Sequence, residues 1–236
     1  MKHILFDLDG TLLPMNQDKF VQYYMPGLAK RFIKAGIEPE ALIKAVWQGV
    51  GAMIANDGSV TNQEAFNRIF SNLVPINMEE AEKEFLDFYD HEFNDAINAT
   101  EPTPVAGKII ELAKEKGFNI YLATNPIFPR CGTRNRIRWA GLSESDFLDV
   151  TTYETCHYCK PNPKYFTEIM DKHGLKAEDC LMVGNDVEED LAVMELGAKT
   201  YIITDTLENK KNLPLTSDYS GSMKDFYEFL KGLTPQ

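Results

Sequence analysis

From residue 104 onward the chain alternates short apolar runs with stretches of helical spacing, and this restricts its fold more than any other feature. Phe118–Ala123, Phe147–Thr152, Cys180–Val183 and Lys199–Thr204 read as strands. Between them, Val105–Lys116 starts behind Pro104 and stops at Gly117, and Arg130–Ala140 is closed by Gly141. Pro163–His173 ends before Gly174, and Glu188–Leu196 is stopped by Gly197. Proline at a helix start and glycine just past its end are the expected punctuation. Met223–Leu233 reads as a last helix, and Lys2–Phe6 adds a strand at the N-terminal end. Strands that take turns with helices point to an α/β fold, a Rossmann-like three-layer core with a mainly parallel sheet.

Residues 15–99 break this rhythm. They hold few strand candidates and four helical stretches: Asp18–Ala35, Glu40–Ala55, Thr61–Leu73 and Asn77–Phe93. Thr61 with Glu64 is a capping box, and Asn77 with Glu80 is a weaker one. The expected organisation is a core from residues 1–14 and 100–236, with a helical insertion at 15–99. Leu213–Ser222 is polar and turn-like and is expected to be a surface loop.

The 36 acidic residues exceed the 24 basic ones, giving a net charge of −12. That argues against nucleic acid as a partner, since affinity for a phosphate backbone comes largely from Lys and Arg. It argues equally against an anionic membrane surface. A small anionic substrate stays open, because a bound cation can reverse the charge of a local site. No stretch approaches the roughly 20 apolar residues of a membrane span. The apolar run before Asp7 is too short for a signal-peptide core, so a cytoplasmic protein is expected.

Four segments place polar residues where strands end, and ligands of open α/β sheets bind outside those ends. The first is Asp7-Leu8-Asp9-Gly10-Thr11. Residues two apart on an extended segment face the same way, roughly 6.6 Å apart. Asp7 and Asp9 can therefore flank one small group. Two carboxylates so close need a shared proton or a cation between them. The second is Thr124-Asn125, whose hydroxyl and amide can donate to an anion or simply begin a turn before Pro126. The third is Lys160, whose backbone is restricted by Pro161 and Pro163. The fourth is Gly184-Asn185-Asp186-Val187-Glu188-Glu189-Asp190. Asp186 and Asp190 are one helical turn apart, suited to a hard cation or to a helix N-terminus without further function.

In order and residue type these segments resemble the four motifs of the haloacid dehalogenase superfamily, in a phosphatase-type member with a helical cap between motifs one and two. The resemblance covers roughly residues 1–14 and 100–204. It implies a phosphohydrolase that acts on a small phosphorylated metabolite. Asp7 would be the nucleophile and form an aspartyl-phosphate, with Asp9 as general acid and then base. Thr124 and Asn125 would hold the phosphoryl group, and Lys160 would offset its charge. Mg²⁺ would sit on Asp7, the Asp9 carbonyl and the motif-four acids. The family commonly shows Gly-Asp where this chain has Gly184-Asn185-Asp186, so either residue can fill the first position. Asp186 is preferred as metal ligand, with Asp190 as ligand or orienter. Dehalogenases resemble this motif without the second Asp, so Asp9 favours phosphoryl chemistry. A sugar phosphomutase and a non-catalytic binding protein on the same scaffold are the alternatives.

Other features are read as structural. Cys156 and Cys159 form a lone C-x-x-C, and a zinc ribbon needs a second pair. The run Arg134–Arg138 reads as a solvated helix face. Phe85, Phe88, Tyr89 and Phe93 have the spacing of a packed helix. Trp47, Tyr23 and Tyr24 are candidates to face the site from the insertion.

Overall fold

The computed structural model describes residues 1–235. Five parallel strands form one sheet in the order β2-β1-β3-β4-β5: β1 (His3–Phe6), β2 (Asn119–Leu122), β3 (Cys180–Gly184), β4 (Lys199–Ile203) and β5 (Tyr219–Gly221). Side chains alternate between the two faces of a strand, and the core divides accordingly. Ile4, Phe6, Ile120 and Leu122 pack on one face with α5 (Pro104–Glu115) and α8 (Met223–Gly232). Leu5, Tyr121 and Met182 pack on the other with Tyr165, Phe166 and Ile169 of α7 (Pro163–His173). The result is the expected three-layer α/β core.

Register brings the site together. Phe6 lies opposite Leu122 on one side and Val183 on the other, so three strands end level. The next residues stay paired: Asp7 N–H donates to the Val183 carbonyl at 2.9 Å, and Ala123 N–H to the Phe6 carbonyl at 2.7 Å.

Between β1 and α5 lie α1 (Gln17–Ile33), α2 (Pro39–Ile54), α3 (Asn62–Leu73), α4 (Met78–Asp90) and a 3₁₀ segment, Glu92–Ala99. The Thr61–Glu64 capping box forms, and the Asn77 side chain accepts from Glu80 N–H. The chain leaves and re-enters the core side by side. Met15 pairs antiparallel with Thr100, Asn16 N–H donates to the Ala99 carbonyl at 2.9 Å, and Glu101 N–H to the Pro14 carbonyl at 2.7 Å. A second tether is Asn62, buried at the start of α3. Its N–H donates to the Cys156 carbonyl, and its side-chain amide to the Pro126 and Tyr158 carbonyls.

Three sequence expectations are corrected. Phe147–Thr152 is no regular strand: it runs along the outer side of β2 with one parallel bridge, Leu122 to Val150. Its Thr151 hydroxyl turns inward to the carbonyls of Leu122 and Thr124, and Lys172 and His173 hold its Asp149 carboxylate. Leu213–Ser222 is not all loop, because it contains β5. Asp218 ties that edge to β4 by accepting from Thr200 N–H and Lys199 Nζ, bonds that leave no apolar pattern to read. Glu188–Leu196 is not one α-helix. It begins as a turn organised by the Asp186 side chain and continues as a 3₁₀ segment, Leu191–Leu196.

Candidate active site

Asp7 follows β1 directly and is nearly buried. Lys160, fully enclosed, donates from Nζ to Asp7 Oδ1 at 2.9 Å and to Asp190 Oδ1 at 2.6 Å. A buried ammonium survives only when paired. Burial acts to lower the Lys160 pKa, but Asp190 and Asp7 outweigh it and hold the group well above its ordinary value. Burial pushes the Asp7 carboxyl up to about 6, against the pull of Lys160 and with the push of Asp190.

The motif-four turn is built around these charges. Asp190 Oδ2 accepts from Asp186 N–H at 3.0 Å, so both of its oxygens are engaged. Gly184 is required here, because a Cβ would collide with the Asp190 carboxylate. Asp186 Oδ1 accepts from Glu188 N–H and Glu189 N–H. Burial raises the Asp186 carboxyl pKa. Asn185 is spent on structure. Its Oδ1 accepts from Thr11 Oγ1 at 2.9 Å and its Nδ2 donates to the Thr206 carbonyl at 2.9 Å. Gly10, with φ of +89°, leaves the space that Asn185 fills. Of the two residues, Asp186 has the less committed side chain.

Thr124 is buried at the end of β2, and its carbonyl accepts from Thr151 Oγ1 and Tyr165 Oη. Asn125 Nδ2 donates to Glu189 Oε1 at 3.0 Å, while its Oδ1 is buried without a partner. Asp7, Asp9, Thr124, Asn125, Asp186 and Asp190 all line one polar cavity of about 210 Å³, and Lys160 lies behind its wall.

Two site residues escape sequence reading. Glu189 lines the same cavity, and burial pushes its carboxyl up to about 8. Its signal was its place beside Asp190 in the acidic turn. The other is Arg136, on α6 (Arg130–Trp139), where a solvated face was expected. Arg134 and Arg138 are exposed, but Arg136 is only 1% exposed and is ion-paired through Nη1 with Asp9 Oδ2. Its guanidinium lies 4.1 Å from the Phe128 ring centroid and donates to Thr133 Oγ1 and the Gly132 carbonyl. Burial lowers its pKa to about 9. Asp9 Oδ1 is buried with no partner.

The cysteines stand apart from this chemistry. Cys156 and Cys159 are free and buried, and burial pushes the Cys156 thiol up to about 12. Thiols so far from ionising are poor ligands and nucleophiles.

The strand-end carboxylates and the paired Lys160 define a hydrolase class, and comparison with known proteins agrees. Residues 1–196 match the family described as haloacid dehalogenase-like hydrolase. The chain belongs to that family of hydrolases. A phosphoglycolate phosphatase of Vibrio parahaemolyticus is 27% identical over 208 residues, covering 86% of this chain and 84% of that protein. A glyceraldehyde 3-phosphate phosphatase of Methanocaldococcus jannaschii is 25% identical over 248 residues, covering 99% and 98%. The crystal structure of a HAD phosphatase from Thermococcus onnurineus superposes with a TM-score of 0.63 at 22% identity, covering all of both chains. No helix is long and apolar enough to cross a membrane among the described residues.

Proposed function

We propose that this chain hydrolyses monophosphate esters of small metabolites with the help of Mg²⁺, passing the phosphoryl group through Asp7, and that residues 15–99 form a cap over the site. One observation carries the reading. Two carboxylates two residues apart are each given their own cation, Asp7 by Lys160 and Asp9 by Arg136. The antiparallel pairing of Met15 with Thr100 supports the cap boundaries.

The cavity suits a divalent cation. Asp7, Asp9, Asp186, Glu189, Asp190 and Glu208 line it, while Lys210 is the one cationic side chain in its wall. A phosphate dianion would be repelled without a further positive charge. Among the described residues no three His, Cys, Asp or Glu side chains stand close enough to encage an ion by themselves. Mg²⁺ commonly takes only one or two carboxylates and keeps several waters. If bound there, it would be held by Asp7, the Asp9 carbonyl and Asp186 and would neutralise charge at a phosphoryl oxygen.

The residues then divide the work. The Asp7 carboxylate attacks phosphorus, and the bond to the ester oxygen breaks. Asp9 protonates that oxygen as it leaves. Asp9 next takes a proton from water, whose oxygen attacks the phosphorus of the aspartyl-phosphate and frees Asp7. Splitting one displacement into two is the gain of covalent catalysis. Lys160 offsets the charge gathered on Asp7 and the phosphoryl group, and the Thr124 hydroxyl donates to a phosphoryl oxygen. Asp190 keeps Lys160 in place. Arg136 holds the Asp9 carboxylate in place.

The test is phosphate release from a panel of phosphorylated sugars, nucleotides and small acids, after chelation and after Mg²⁺ is restored. Release is expected only with the cation, and it is expected to vanish in Asp7→Asn. Undiminished release by Asp7→Asn overturns the assignment of the nucleophile. An isomerised product without free phosphate would instead indicate a mutase.

A further inference from the structure

The polar cavity opens onto a second, larger one of about 540 Å³ under the helical insertion. The two share Asp9, Asn125, Glu189 and Phe128 in their walls, so a phosphate ester held at Asp7 projects its alcohol into the larger space. That space is walled by apolar and aromatic side chains: Phe20 and Tyr24 of α1, Trp47 and Val50 of α2, Phe66 of α3, and Tyr153. The phenols of Tyr24 and Tyr89 bond to each other at 2.8 Å, which occupies one of their two O–H donors. Charge in this wall is mostly acidic, from Asp9, Asp18 and Glu189. Its one cationic side chain, Lys210, is largely exposed and lies 3.6 Å from Glu208. A carboxylate or second phosphate on the alcohol would find Lys210 as the one cationic side chain in this wall, exposed and beside Glu208. An apolar alcohol would release water from aromatic surface, worth roughly 25 cal/mol per Å².

We infer that this phosphatase selects esters of uncharged, largely apolar alcohols and discriminates against alcohols carrying a carboxylate. The inference rests on the function proposed above and adds the leaving-group class. Trp47 and Val50, three apart on one face of α2, are the specificity-determining residues at the mouth. Trp47 is 48% exposed, so its replacement leaves the fold intact.

The test compares kcat/KM for benzyl phosphate and phosphoglycolate, both esters of primary alcohols. The wild type is expected to favour benzyl phosphate by about tenfold or more, the scale of apolar-pocket discrimination. Trp47→Ala is expected to shrink that ratio, and Val50→Lys to shrink or invert it. A wild-type ratio at or below one, or a ratio that neither variant moves, overturns the inference and leaves the phosphatase reading standing. Calorimetry on Asp7→Asn with both esters tests the cavity without turnover. Tighter binding of benzyl phosphate supports the inference, and equal or weaker binding overturns it. If no ester is turned over, the phosphatase reading fails, and the calorimetry still decides the cavity.

Discussion

The polar cavity at the strand ends and the larger cavity under α1 and α2 meet at Asp9, yet they are made of different material. The first is assembled from residues far apart in sequence (Asp7, Thr124, Lys160, Asp190) that the sheet register makes neighbours. Its side chains are held by ion pairs and by bonds to backbone, which fixes them before any ligand arrives. The second is walled by helices of the insertion together with Phe128 and Tyr153 from outside it, through aromatic rings that pack on one another: Phe20 with Tyr24, Phe93 and Phe128, and Phe66 with Phe70. The two spaces share a seam that includes Asp9, Gln17, Asn125, Phe128 and Glu189, so chemistry and selection meet along that wall.

Perturbing either side tests this division. The largest effect is expected from Lys160→Met. It leaves Asp7 and Asp190 facing each other in a buried space, costing about 3–5 kcal/mol of stability in metal-free protein. Turnover should fall on the order of a hundredfold or more, since a preorganised charge is lost. Thermal melts with phosphate-release assays measure both, and a variant of full activity would break the comparison at its polar end. Phe20→Ala, on the apolar side, should cost about 3–5 kcal/mol in a denaturant titration, because it empties space within the aromatic cluster. An unchanged midpoint would mean that this wall is not packed as described.

Arg136→Lys sharpens the boundary between the cavities. Lysine keeps the charge but loses the planar fork and the contact with Phe128. We expect kcat to fall about tenfold, with a change in the pH profile that a purely structural loss would not give. An unchanged profile would remove Arg136 from the control of Asp9. The smallest effect concerns pH. Folding raises the pKa of Asp7 to about 6 and of Glu189 to about 8, so the native state binds more protons than the unfolded chain between the two sets of values. Stability of chelated protein should therefore fall as pH rises from about 5 to about 8, and Mg²⁺ should flatten the slope by neutralising the same carboxylates. Melting temperatures with and without Mg²⁺ give the comparison. A slope of opposite sign would contradict the burial of these acids.

Much of the polar cavity was legible in the sequence because its residues sit just past apolar runs, where a parallel sheet must present them. Asp7 after Ile4-Leu5-Phe6 and Asp186 after Leu181-Met182-Val183 need no tertiary information. Arg136 was hidden by its neighbours. Arg134, Arg136 and Arg138 form one basic pattern, and only packing against Phe128 and Asp9 separates the buried member from the exposed pair. The Asn185–Asp186 choice depended on what Thr11 and Thr206 do, which no local pattern carries. Short edge pairing at β5 was missed because it relies on side-chain bonds to backbone rather than alternating apolar residues, whereas the strand expected over Phe147–Thr152 is reduced to one bridge at Val150. The insertion showed its helices but not its interior. Tyr24 and Trp47 were candidates for the site and do line the larger cavity, whereas Tyr23 does not. The aromatic spacing read as core also describes a cavity wall, and sequence cannot separate the two.

The central claim is that Asp7 carries the phosphoryl group. Acid-quenching the enzyme during turnover with Mg²⁺, then mass-analysing the peptide that contains Asp7, tests it directly. The expected result is the added mass of one phosphoryl group on Asp7, absent from Asp7→Asn. Rapid turnover with the phosphoryl group on another residue, or with Asp7→Asn equally active, would contradict the account.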